Sequence, residues 1–169
     1  MLFRSQLGGV VNKKTDFNVG DDKLDVQYKS VLSFDTSAIP QNALVTSAQL
    51  IMTRKKVLGA SPFTVLNRCQ VDVLDSGATA LALQKTDFQR SATCRSAAQM
   101  SNPSQNESSS NGSFNEAGLK SINKGGVTQL RVYFSKPTNN DKTQNLMVFW
   151  GDSGLDEQRP KLLITYMLP

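Results

Sequence analysis

Short runs in which apolar and polar residues alternate one for one constrain this chain more than any other feature. In "TQLRVYF", Leu130, Val132 and Phe134 point one way and Gln129, Arg131 and Tyr133 the other, because successive side chains of an extended strand face opposite sides. "SAQLIMT" sets Ala48, Leu50 and Met52 on one face, and "RCQVDV" sets Cys69, Val71 and Val73 against Arg68, Gln70 and Asp72. "RPKLLITY" closes the chain with Leu162, Ile164 and Tyr166 together. A helix, with its longer period, would scatter these residues around its circumference rather than gather them on one face.

Turn residues separate the runs. "AIPQNA" and "LGASPF" each carry a proline, which has no ladder donor and suits a connection, and "SKPTNNDKTQN" reads as a hairpin loop between the strands of Val132 and Val148. Helix is expected only in short connectors, "DFQR" near Phe88 and "NEAGLKSIN" from Asn115 to Asn123. The segment from Ala97 to Ser113 is dominated by Ser and Asn and reads as a long surface loop or a frayed edge hairpin; its two N-x-S sequons, at Asn106 and Asn111, are read as coincidental. The expectation is an all-β fold, a jelly-roll-like antiparallel β-sandwich with one or two short helical connectors, forming a single module over residues 1–169.

The chain has no histidine, which removes the commonest general base and the commonest zinc ligand together. No Ser-His-Asp or Cys-His site can exist, and the acidic residues fall mostly in turns, where no carboxylate pair can be placed across a cleft, so catalysis is not expected. Cys69 and Cys94 are too few for a thiolate metal site. They suit either one disulfide or two buried thiols, and the extracellular look of the chain favours the bridge. "MLFRSQLGGVV" has neither the apolar core nor the cleavage pattern of a signal peptide, and no run reaches the roughly 18 apolar residues of a membrane helix, so no membrane insertion is expected.

With the strands laid out, "FNVGDDKLDVQYKSVLSFDTSAIPQNALVTSAQL" resembles the DNRLRE-type secreted β-sandwich domains and is similar to alginate-binding carbohydrate-binding modules. The shared pattern is an N-x-G, a strand ending in Ser-Phe-Asp, an Ile-Pro, and an A-x-V-T-x-A-x-L run represented here by "ALVTSAQL"; "RPKLLITY" resembles the closing strand. The resemblance implies a jelly-roll-like sandwich in a larger exported bacterial protein, outside the cell or at its surface. It implies no one ligand. On it, "SFDTSAIPQNA" is scaffold, with Phe34 ending a core strand and the following residues crossing over to the next.

Candidate sites come from exposed aromatics, basic residues and an acidic turn. Tyr133 lies opposite the core set of its strand, with Arg131 beside it. In "NLMVFWGDSG", Leu146, Val148 and Trp150 share one face and Met147 and Phe149 the other; both faces are apolar, so Trp150 reads as core or rim packing or as a ligand platform. Arg54 and Lys56, in the basic "TRKK", join these three as the expected polysaccharide-binding residues, since a basic groove with an aromatic suits an anionic glycan. Charged strand edges that block aggregation would look the same. The net charge of +5 is not gathered into a basic run of the kind nucleic acid requires, and no nucleic-acid partner is expected. Asp16, Asp21, Asp22 and Asp25, clustered around Gly20, are the candidate ligands for a structural calcium ion or, alternatively, turn residues capping backbone donors. The competing class is a structural or adhesion module of a cell-surface protein, a spacer or fibre subunit that self-associates or contacts other surface proteins.

Overall fold

The computed structural model describes residues 2–4, 10–12, 16–75, 83 and 85–169. Most of the amino-terminal stretch assessed above for an export signal lies outside them. The strands are β1 (Leu2–Arg4), β2 (Val10–Asn12), β3 (Asp16–Asp21), β4 (Gln27–Asp35), β5 (Leu44–Leu58), β6 (Cys69–Leu74), β7 (Ala92–Gln99), β8 (Ser109–Ser113), β9 (Val127–Phe134), β10 (Asn145–Trp150) and β11 (Lys161–Met167). Among the described residues, helix is limited to α1 (Pro62–Val65), α2 (Glu116–Lys120) and a 3-10 turn over Lys85–Phe88. The fold is all-β and sandwich-like, as the alternation requires, and every strand pair is antiparallel.

Strand β5 is the spine. Gln49 pairs with Leu163 of β11 and with Ser113 of β8, so those two strands lie on opposite flanks. Arg54 bonds Glu107 and Ser108 on the β8 side and pairs with Phe149 of β10 on the other, so β10 and β11 run in line along one flank, joined by the excursion 151–160. From β10 the sheet continues through β3, β4, β9 and β6 to β7. Ala98 of β7 then bridges Phe114 just beyond β8, so the sheet curls until its two ends meet.

Inside the curl, Phe17, Val19, Leu50, Met52, Leu130, Val132, Phe134, Met147 and Phe149 are all fully buried. Phe17 stacks on Phe149 at 5.4 Å between ring centroids, and Phe63 of α1 meets Phe134 edge-on at 5.0 Å. Each such side chain contributes on the order of 1.5–3 kcal/mol by leaving water. Gly20 shows how closely the strands approach. Its φ is +139°, and a Cβ there would stand 2.0 Å from the Asn145 carbonyl oxygen, so no other residue fits.

Several sequence expectations change. "SKPTNNDKTQN" is not a hairpin loop, because β9 pairs with β4 and β6 whereas β10 pairs with β3 and β5; the segment crosses between parts of the sheet. "LGASPF" contains α1 rather than a simple turn, with Pro62 at the start of the helix, where its missing N–H is harmless. The Ala97–Ser113 segment resolves into the end of β7, a loop and β8; it is neither a loop throughout nor a hairpin, because β7 pairs with β6 and β8 with β5, and the two meet only at the isolated bridge from Ala98 to Phe114. In β11 a register shift between Thr165 and Tyr166 separates Tyr166 from Leu162 and Ile164, which alone pack on the core.

The disulfide is also corrected: Cys69 and Cys94 are free and buried. Register explains why. Cys94 lies opposite Val73, four residues along β6 from Cys69, which is ~13 Å at ~3.3 Å per residue, and a bridge needs Cα atoms within about 7 Å. Burial pushes both thiols above their ordinary pKa, with the Asp72 charge adding to the effect at Cys94.

Candidate functional site

The expected ligand residues fall into two separate polar clusters. The first lies on the outer face of β4, β9 and β6, which alternation marks as solvent-facing. The 3-10 turn and its flanks cover part of that face, packing Phe88 and Leu83 on Val31 and Leu74. Gln129 is consequently buried, donating to Asp87 and Ser33 and accepting from Arg90. Arg131 donates to the Phe88 and Arg90 carbonyls and holds Asp72 Oδ2 through Nε at 3.2 Å and Nη2 at 2.6 Å. Tyr133 donates its hydroxyl to Asp72 Oδ1 at 3.1 Å, and the Ser96 amide reaches the same oxygen at 2.9 Å.

Asp72 is thus the hub of this cluster, and Tyr133 and Arg131 are bound into it. Burial first, and then the Asp72 charge, raises the Tyr133 pKa. Lys29 lies with its Nζ 5.5 Å from the Tyr133 ring centroid; burial, assisted by the Arg131 charge, lowers its pKa.

The second cluster surrounds Trp150, which ends β10 opposite Asp16 of β3. Met147 and Phe149 belong to the core, which places the partly exposed indole on the outer face. Its Nε1 donates to both carboxylate oxygens of Glu107, at 3.0 and 3.1 Å, and Gln158 Nε2 donates to Glu107 at 2.6 Å. Lys55 Nζ sits 3.9 Å from the ring centroid and 2.7 Å from Asp16 Oδ2, and Ser153 donates to Asp16 Oδ1. Partial burial works to raise the Asp16 pKa, but hydrogen bonds from Lys55 and Ser153 and the Lys55 charge outweigh it and hold the carboxyl below its ordinary value. Arg54 donates to Asn106 and to the Pro103 carbonyl, while Lys56 is exposed.

Asp16 therefore stands at the opposite end of β3 from Asp21, roughly 17 Å away, and the four candidate calcium ligands do not converge as one group. Asp21 accepts from Asn145 and the Asn139 amide, Asp22 from the Leu24 and Val26 amides and the Tyr28 hydroxyl, and Asp25 from Thr138 and the Lys142 amide. This is the turn-capping arrangement. Among the described residues, no group of three or more Cys, Asp or Glu side chains is placed to hold a metal ion.

The structure thus brings Trp150 and Arg54 together and sets Arg131 and Tyr133 apart in a separate network. Lys55, Glu107 and Gln158 were not anticipated. Glu107 carried one signal, being the only charged residue between Ala97 and Ser113. A curled antiparallel sheet bearing a partly exposed indole, with Lys55 over its ring and Glu107 at its nitrogen, is the class the fold and the site define. No protein-family model matches the chain, and no curated protein matches its sequence. No helix among the described residues is long and apolar enough to cross a membrane.

Proposed function

We propose that this chain is a non-catalytic carbohydrate-binding module that holds a polysaccharide, anionic by preference, at the Trp150 corner. The observation that carries the reading is the partly exposed indole, oriented by Glu107 with Lys55 over its ring, and with Arg54 held on Asn106 beside Glu107 and Lys56 exposed opposite Val148 on the same strand pair. Sugar rings offer C–H faces that stack on flat aromatic surface, and a uronate carboxylate accepts charge-assisted hydrogen bonds from Arg and Lys. Lys55 covers one face of the ring, so stacking is assigned to the other. Arg131 and Tyr133 are left out of the binding set because their polar atoms are held by Asp72. The resemblance of Phe17 to Leu50 to secreted β-sandwich domains is in keeping with an exported parent protein, and the ligand class rests on the Trp150 corner alone.

Affinity electrophoresis through gels containing alginate, pectin or a neutral glucan tests the proposal. The wild type should be retarded by an anionic gel. Trp150→Ala should lose that retardation while circular dichroism shows the fold retained, since truncating a central aromatic anchor costs about 2 kcal/mol, close to thirtyfold in affinity. Free migration of the wild type through every gel would overturn it. The second reading, a structural or adhesion module, is favoured by the exposed apolar residues of β11.

A further inference from the structure

Among the described residues β11 is paired on one flank only, to β5. Leu163 is 53% exposed, Tyr166 38%, Met167 56%, Leu168 61%, and Leu44, which pairs with Met167, 63%. An unpaired strand edge presents a row of free N–H and C=O groups, and proteins ordinarily protect such edges with charge, proline or cover. Here the run from Lys161 to Leu168 carries a single charge, at its first residue. We propose that β11 is a self-association edge, pairing antiparallel with β11 of a second copy of this chain.

Charge selects that occupant. The chain carries +5, so two copies repel one another across most of their surface. The β11 edge is where that charge is nearly absent, and it bears no carboxylate that would recruit a basic partner. Two-fold pairing centred on Ile164 sets Lys161 of one copy opposite Met167 of the other. The two ammonium groups then lie about 20 Å apart, roughly two Debye lengths at 0.1 M salt. An isologous contact uses the same patch twice, so each copy's Leu163 and Met167 help to cover the other's. The four exposed apolar residues of the edge, Leu163, Tyr166, Met167 and Leu168, offer at most about 400 Å² per copy, hence about 800 Å² in the pair, the scale of a weak, transient contact to which the ladder bonds add. That size fits a dimer that forms with rising concentration rather than a permanent one.

Sedimentation velocity from micromolar to millimolar protein tests this. The wild type should move from 18.5 kDa toward twice that mass as concentration rises, and added salt should shift it further by screening the repulsion. Leu163→Lys with Met167→Lys should remain at the monomer mass, while Lys56→Glu, at the Trp150 corner, should still dimerise. Both β11 side chains are exposed, so the double variant should keep the wild-type melting temperature. Should it fail to fold, amide hydrogen exchange on the wild type gives the second measurement, in which β11 amides must gain protection with concentration. A wild type monomeric at every concentration, a dimer indifferent to the β11 changes, or amides indifferent to concentration would each overturn the proposal. None of these readouts involves a glycan, so the outcome is separate from the carbohydrate-binding reading.

Discussion

Asp72→Ala should be among the most damaging polar substitutions in this protein. The carboxylate is 2% exposed and its Arg131 partner 14% exposed, so the pair is shielded from water. Asp72 accepts from Arg131 Nε and Nη2, the Tyr133 hydroxyl and the Ser96 amide. Ser96 itself holds φ at +51° where the β6–β7 register shifts, a conformation that this hydrogen bond helps to maintain. Alanine leaves a buried guanidinium with only the Phe88 and Arg90 carbonyls, and removes an acceptor from the Tyr133 hydroxyl and the Ser96 amide as well. Breaking one side of a buried pair costs about 3–5 kcal/mol, which for a chain of this length lowers the melting temperature by roughly 10 °C. Asp72→Asn keeps an acceptor and should lose about half as much.

Urea denaturation with the slope checked for constancy measures the loss, and a double-mutant cycle with Arg131→Met isolates the pair. Adding Arg131→Met to Asp72→Ala should recover part of the loss, because the orphaned charge is then gone. Tyrosinate absorbance supplies an independent reading. Burial still raises the Tyr133 pKa in Asp72→Ala, but the Asp72 contribution disappears, so the hydroxyl should titrate at lower pH than in the wild type. A loss under about 1 kcal/mol, or zero coupling to Arg131, would refute the view that Asp72 is the hub.

Lys55→Met should cost no more than about 1 kcal/mol near neutral pH, as partly exposed ion pairs do. The folded Asp16 pKa is held below its ordinary 3.8, so the stability it contributes is present above that value and lost as pH falls through the folded one. The gap in melting temperature between wild type and Lys55→Met should therefore close in acid, and a gap that widens would refute the assignment. Cys69 and Cys94, buried with raised pKa values, should resist a thiol-reactive chromophore until denaturant is added, and reductant should leave the melting temperature unchanged. A fall in melting temperature on reduction would restore the disulfide.

Alternation alone sorted the interior of this fold. Leu130, Val132 and Phe134 are fully buried, as are Leu50, Met52, Cys69 and Val71, because burial of a strand's inner face is a local property read two residues at a time. Partnership is not local. The hairpin expected between β9 and β10 failed because pairing depends on where the whole sheet curls, which a turn-rich loop does not encode. The outer face of β9 was only half legible. Gln129, Arg131 and Tyr133 do point away from the core, but a covering turn from residues 85–90 converts that face into a second interior, and its attachment rests on Asp87, Arg90 and Phe88 some 40 positions away in sequence. Trp150 was recognisable by type, but its neighbours arrive from β3, β5, the loop before β8 and the excursion after β10, so its surroundings could not be read from "NLMVFWGDSG".

Because β5 meets β11, β8 and β10 along its fifteen residues, a change in length outside its two bulges, at Thr46 and Lys55, disturbs several pairings together. Deleting one residue at its centre would reverse which side every subsequent side chain faces and slide three neighbours out of step at once. Length changes are therefore better absorbed in the connectors, away from Glu107, Ser153 and Gln158, which hold the Trp150 corner, while Leu44–Leu58 stays fixed as the ruler against which the other strands are measured.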